Sequence, residues 1–170
     1  VIYTGNLGLA QDIDFLKELS VQFNRHKVRM NIIGYGIRRM ELVEFIKENE
    51  LNYVSFIKPT TREECLKLNV QHDIGLISLQ DKEVFDTVLP GKIIDYMISG
   101  LPIVASVSGY SKYIIEKYET GLVSEDRDIN EILEYIDNKV MELTNIYNIY
   151  KSSAESTKKT LLYSYGVGVF

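Results

Sequence analysis

The chain has 170 residues, 45% of them hydrophobic and 25% charged, and a formal net charge of −5. That is one domain with a substantial core; it excludes intrinsic disorder and non-specific binding to nucleic acid or an anionic membrane by the whole surface. One cysteine, Cys65, excludes an internal disulfide, two histidines, His26 and His72, leave no metal cluster to assemble, and no run is apolar over the ~18 residues of a membrane span. The expectation is a cytoplasmic domain with Cys65 as a buried, inert thiol. Val1 already reads as strand, so the expected origin is a fragment of a longer chain.

Residues 1–4 are β-branched and aromatic and run into Gly5-Asn6-Leu7-Gly8; from Asp12 onward Ile13, Leu16, Leu19 and Phe23 recur at helical spacing. A second apolar run, residues 28–33, ends in Gly34-Tyr35-Gly36, and a helix follows with Met40, Leu42, Val43 and Ile46 as its expected inner face. Residues 53–57 predict a third strand, broken by Pro59, and residues 62–68 a short charged helix with Cys65 and Leu66 inward. Asp73-Ile74-Gly75-Leu76-Ile77-Ser78 predicts a strand buried on both faces of a parallel sheet. After a polar connection over residues 79–89, Pro90 and Gly91 open a helix that Gly100 closes, with Ile93, Ile94 and Met97 on one face. Residues 103–106 predict strand five, Gly109-Tyr110 leads into a helix through Ile114 and Ile115, and Gly121-Leu122-Val123 predicts strand six. A last helix runs from Asp128 to roughly Leu143, with Ile129, Ile132, Leu133, Ile136 and Val140 inward. The tail from Tyr147 reads as polar and then tyrosine-rich, and Val167-Gly168-Val169-Phe170 as an apolar end suited to packing on something else.

Strands alternating with helices in this way predict an α/β fold, a Rossmann-like doubly wound six-stranded parallel sheet, because each right-handed crossover needs a helix of this length. Ligands in that architecture bind beyond the carboxyl ends of the strands.

The helix opened by Pro90 and Gly91 carries the most pointed chemistry. Its first-turn N–H groups and dipole attract phosphate, Lys92 adds a full charge, and Asp95, one turn on, is placed to accept hydrogen bonds from a ribose diol. Lys92 and Asp95 are also three apart, close enough to pair with each other, and local pattern leaves both readings open. Gly5, Gly8, Gly34 and Gly36 fit close backbone approach to a ligand and fit tight turning equally. His26 and His72 fall at the opposite edge and read as structural or exposed, while Arg38 and Arg39 read as solvated.

Other chemistries fail on motif. A dinucleotide-binding oxidoreductase wants Gly-x-Gly-x-x-Gly after strand one and an acidic end to strand two, neither of which is present. No Gly-Lys-Ser/Thr signals a P-loop, and Ser106-Val107-Ser108-Gly109 falls short of Gly-x-Ser-x-Gly. Taken in order, however, Gly5-Asn6-Leu7-Gly8, Ile33-Gly34-Tyr35-Gly36, Asp73-Ile74-Gly75-Leu76, Leu89-Pro90-Gly91-Lys92 with Asp95-Tyr96-Met97, Gly100-Leu101-Pro102-Ile103-Val104-Ala105 and Gly121-Leu122-Val123 resemble the C-terminal half of family-4 glycosyltransferases. Those enzymes have the GT-B fold, two Rossmann-like domains facing a cleft.

The resemblance implies that the chain binds a nucleotide-sugar donor for a retaining glycosyltransferase, with no cofactor and no metal, and that an N-terminal acceptor domain completes the cleft. It implies that Gly5, Asn6 and Gly8 approach the phosphates, that Gly36 belongs to the nucleotide-sugar site, that Leu89, Pro90, Gly91 and Lys92 meet diphosphate and sugar, that Asp95 holds the ribose hydroxyls, and that residues 53–58 frame the base. Catalytic residues are not assigned. Two departures stand out: family members carry a glutamate at the Thr87 position, for which Asp86 is a weak substitute, and their basic pair after strand one is replaced by Asn6 and Gln11. Leu89-Pro90-Gly91-Lys92 is similar to a variant found in a branch making bacterial surface polysaccharides, which implies a capsular, lipopolysaccharide or exopolysaccharide product; a UDP-sugar is the expected donor, and any membrane contact is expected through the other domain. The alternatives are a non-catalytic nucleotide-binding or assembly module and a GT-B sugar-nucleotide 2-epimerase.

Overall fold

Each of the six segments read above as strands forms one, and all six strands are parallel. The computed structural model describes residues 1–164, in the order β1 (Ile2–Asn6), α1 (Ile13–Arg25), β2 (Met30–Tyr35), α2 (Arg39–Glu48), β3 (Val54–Phe56), α3 (Arg62–Asn69), β4 (Gly75–Ser78), a 3₁₀ turn (Glu83–Phe85), α4 (Gly91–Ile98), β5 (Ile103–Ser106), α5 (Gly109–Lys117), β6 (Gly121–Val123) and α6 (Ile129–Ser164). The strands lie in the order β3-β2-β1-β4-β5-β6, the doubly wound arrangement, whose topological switch point falls between β1 and β4. The Cα packing divides the chain after Ile132; the sheet and its helices form the first body, and the second is the run of α6 from Leu133 onward. Among the described residues no helix is long and apolar enough to cross a membrane.

Local chemistry explains the helix starts. The Asp12 carboxylate accepts from the Phe15 N–H at 3.0 Å and caps α1, which buries Ile13, Leu16, Leu19 and Phe23 completely. At α3, Thr61 and Glu64 form a reciprocal capping box. The α2 face is narrower than its sequence pattern, since Leu42 and Ile46 are buried but Met40 is exposed. α6 passes Leu143 and runs on to Ser164, because no glycine or proline intervenes to stop it, and Val140 is exposed. The apolar end at Val167-Gly168-Val169-Phe170 lies outside the described residues.

Strand ends also reach further than the composition suggests. Gly5 pairs with Gly34 and Asn6 with Tyr35, so these residues extend β1 and β2 to the carboxyl edge instead of beginning loops. A Cβ at Gly34 would strike the Leu7 side chain, which is fully buried over that position.

The switch point has a specific bridge. β1 and β4 share one registered pair, Ile2 with Gly75, and beyond it the strands part. The Tyr96 hydroxyl fills the opening: it accepts from the Thr4 N–H at 2.9 Å and lies 3.3 Å from the carbonyls of both Ile2 and Leu76. Its ring lies across Gly75, where a Cβ would come within 2.5 Å of Tyr96 Cδ2, so glycine is required there by close approach. Tyr96 and Ile93 are therefore the inward residues of α4, and Ile94 points outward, a correction to the expected face. Burial drives the Tyr96 hydroxyl well above the ordinary tyrosine range, which keeps it a neutral donor and acceptor. Replacing Tyr96 with phenylalanine should cost about 1–2 kcal/mol, because the Thr4 N–H is left buried without a partner; urea denaturation of the two proteins measures it.

Candidate functional site

At the carboxyl edge, four segments converge: the ends of β1 and β2, the 79–89 connection after β4, and the start of α4. The β1 and β2 turns are stitched together, with the Leu7 N–H donating to the Tyr35 carbonyl at 2.5 Å and the Leu7 carbonyl accepting from the Arg38 N–H at 3.0 Å. Gly5 and Gly36 sit at φ +110° and +123°, conformations that L side chains rarely adopt. The Asn6 side chain lies over Gly8 and Gly36; a Cβ at Gly8 would be 2.7 Å from Asn6 Nδ2, and one at Gly36 would collide with Asn6 Oδ1. Asn6 is therefore packed by two glycines and held at the rim. The Gly8 N–H donates to Oε1 of the buried Gln11 at 2.9 Å, so Gln11 faces the loop backbone and supplies no substitute for a cation.

Lys92 is the central feature. It stands in the first turn of α4, after Pro90, and its stem runs back toward β1. A Cβ at Gly5 would be 3.7 Å from Lys92 Nζ, and Nζ lies 3.9 Å from the centre of the Tyr3 ring. Nζ is buried and has no hydrogen-bond partner. The pairing of Lys92 with Asp95, left open by the sequence, is not made. Burial lowers the Lys92 pKa from 10.5 to about 7, and the amine lies over the face of the Tyr3 ring, a cation–π contact when it is charged. A Cβ at Gly91 would meet nothing within 4 Å, so the space beside this first residue of α4 is open. Leu89 anchors that turn by packing against the core.

Asp95 is one turn further along α4, and its partner is Arg62 of α3. Arg62 Nη2 and Nε donate to Asp95 Oδ1 at 2.6 and 3.0 Å. The 79–89 connection is tied to the turn after β5: the Asp86 carbonyl accepts from the Tyr110 N–H at 2.5 Å, Ser108 Oγ donates to Asp86 Oδ1 at 2.6 Å, and Ser111 Oγ donates to the Val88 carbonyl at 2.5 Å. Thr87, between them, is exposed. The structure thus brings Gly5, Asn6, Gly8, Gly36, Leu89, Pro90, Gly91, Lys92 and Asp95 to one edge, while Asp86 is occupied as a tether.

The structure also has two recesses, lined by other residues. One, of about 800 Å³, is lined by Ile57, Lys58, Pro59, Thr60, Thr61, Glu64 and Leu68 among others, and includes the end of the 53–58 segment. The other, of about 280 Å³, is polar and lies over β4 and β5, with Gln80, Asp81, Ser108, Glu125 and Arg127 in its wall. Arg127 adopts φ +57°, and its guanidinium meets Asp12 Oδ2 at 3.1 Å and Ser106 Oγ at 3.2 Å.

The remaining candidates are structural. His72 is held between Asn31 Nδ2 at 2.8 Å and the Leu68 carbonyl at 2.7 Å, and His26 is exposed at the end of α1. Arg38 pairs with Glu41 and, with Lys17, pulls that carboxyl down to about 2; Arg39 donates to the Gly34 carbonyl at 3.1 Å. Cys65 is half-buried, and desolvation raises its pKa, so it stays a thiol. Tyr3, Arg62, Tyr96 and Arg127 were not anticipated. Topology could have pointed to Arg62 and Arg127, which follow β3 and β6 at the ligand edge; nothing local marks the two tyrosines.

A family model described as "Glycosyl transferases group 1" matches residues 1–140. No curated protein sequence is significantly similar to the chain. Among solved structures, the fold is shared with the pneumococcal O-GlcNAc transferase GtfA in complex with UDP and GlcNAc, at TM-score 0.54 and 15% identity over 88% of this chain and 29% of that one. It is shared with WaaG, a glycosyltransferase involved in lipopolysaccharide biosynthesis, at TM-score 0.57 and 18% identity over 82% and 38%. The glycosyltransferase GlyE of Streptococcus pneumoniae TIGR4 gives 0.55 and 13% over 81% and 32%. The chain spans about a third of the length of these proteins.

Proposed function

Because the chain belongs to the glycosyl transferases group 1 family, we propose that it is the nucleotide-sugar-binding C-terminal domain of a retaining GT-B enzyme, using a UDP-sugar in the assembly of a bacterial surface polysaccharide. The observation that carries this reading is Lys92: a buried amine with no hydrogen-bond partner, beside Gly5 in the first turn of α4, suits a phosphate. A diphosphate seated there gains the first-turn N–H groups of α4 and the Lys92 charge, and the same groups meet the negative charge that develops on the departing nucleotide. Asp95, one turn away, accepts from the ribose hydroxyls, and the recess at Ile57 and Lys58 takes the base. UDP in the complex of the pneumococcal relative is in keeping with the choice of nucleotide.

This chemistry asks for no metal and no cofactor, because lysine and helix dipole carry the countercharge. Acceptor binding and the rest of the cleft belong to an N-terminal domain, as does any contact with a membrane, and the setting is the cytoplasm. A second reading, a non-catalytic nucleotide-binding module, draws on one observation: Thr87 offers no carboxylate to the donor sugar, and Asp86 is engaged by Ser108. The 2-epimerase alternative draws on none, since His72 is consumed between Asn31 and Leu68.

Calorimetric titration with UDP, GDP, ADP and NAD tests the reading. UDP is expected to bind most tightly, with GDP next. Preference for NAD, or no binding by any of the four, overturns it.

A further inference from the structure

Arg62 is the first residue of α3, at the ligand edge after β3, and the capping box formed by Thr61 and Glu64 fixes the backbone from which it projects. Its own side chain is largely exposed, at 69%, whereas that of Asp95 is 18% exposed. Both Arg62 bonds, from Nε at 3.0 Å and Nη2 at 2.6 Å, fall on the same oxygen, Asp95 Oδ1. Arg62 therefore leaves Asp95 Oδ2 unclaimed. An aspartate in α4 has more than one staggered rotamer open to it, and an ion pair to one oxygen from a neighbouring helix selects one orientation.

We propose that Arg62 is a positioning residue for the donor ribose: by holding Oδ1 it presents Oδ2 of Asp95 to the diol and sets the preference for a ribose bearing both hydroxyls. The inference rests on the nucleotide-binding reading above. The competing arrangement, in which Arg62 masks Asp95 and must be displaced by ligand, makes the opposite prediction for affinity. Two donors converging on one oxygen, with the second left open, fit presentation; a mask would engage both oxygens in a fork.

The test is calorimetric titration of wild type, Arg62→Ala, Arg62→Lys and Asp95→Ala with UDP and with 2′,3′-dideoxyuridine 5′-diphosphate, which lacks the diol. Arg62→Ala should weaken UDP binding roughly two- to fivefold, in keeping with an exposed ion pair, and leave the dideoxy compound unaffected. Arg62→Lys should restore part of the difference. Unchanged or tighter UDP binding by Arg62→Ala, or an equal loss for both nucleotides, overturns the role of Arg62. If Asp95→Ala loses the discrimination while Arg62→Ala keeps it, the nucleotide reading stands and only this inference falls. Failure of wild type to bind UDP removes both.

Discussion

Replacing Lys92 by methionine is expected to raise the stability of the chain and lower its affinity for UDP together. Methionine keeps the length of the stem and removes an ammonium that is buried without a hydrogen-bond partner. That relief is worth about 1–3 kcal/mol, or roughly 2–10 °C in melting temperature for a chain of this size. The gain depends on pH with a definite sign. Between about 7, where the folded chain titrates Lys92, and 10.5, the ordinary value, the unfolded chain holds a proton that the folded chain has lost. Wild-type stability therefore rises with pH across that interval, and the advantage of Lys92→Met is full below about pH 7 and fades above it. Melting curves at several pH values check this.

Affinity moves the other way. A diphosphate beside Nζ favours the charged form, so binding above pH 7 takes up a proton, and wild-type affinity should fall as pH rises from roughly 7.5 to 9. Lys92→Met should bind UDP more weakly by about 1.5–3 kcal/mol at pH 7, the scale of a charged hydrogen bond, and lose the pH dependence in that window. A variant that is more stable and still binds UDP as wild type does would remove Lys92 from the site.

Asp95→Ala is the second large effect. It deletes the acceptor for the ribose hydroxyls and the partner of Arg62, and should weaken UDP by about 1–3 kcal/mol in a calorimetric titration. Little loss of stability is expected, because Arg62 is exposed and remains solvated when its partner is gone. A large drop in melting temperature with unchanged affinity would make the Arg62–Asp95 pair a structural tie instead.

Much of this fold was legible because period and punctuation agree. Ile13, Leu16, Leu19 and Phe23 mark one face of α1, and the apolar runs of β4 and β5 need two covered faces, so the doubly wound sheet follows from pattern. The expected site residues do reach one edge, because strand ends and the α4 start are placed there by topology. What escaped were interactions across that topology. Tyr96 reads as an ordinary helix residue until β1 and β4 part and its hydroxyl is seen to bridge them, with Gly75 making room for its ring. Lys92 and Asp95 read as an i, i+3 pair, yet each turns away, one to Tyr3 and one to Arg62, residues 89 and 33 positions removed. Helical spacing shows who can meet on one helix, and a neighbouring element can offer a better or more buried contact. Gln11, which replaces a basic residue of the family by resemblance, accepts from the Gly8 N–H, a contact no local pattern announces.

On the proposed function a nucleotide occupies the carboxyl edge at the β1–β4 switch point. Titration of the ¹⁵N-labelled chain with UDP, followed in ¹H–¹⁵N correlation spectra, tests it most directly. Saturable shifts are expected at the amides of Gly5, Gly8, Gly36, Gly91, Lys92 and Asp95. Spectra unchanged by UDP, or shifts confined to the opposite edge around Asp73 and Gly121, would contradict it.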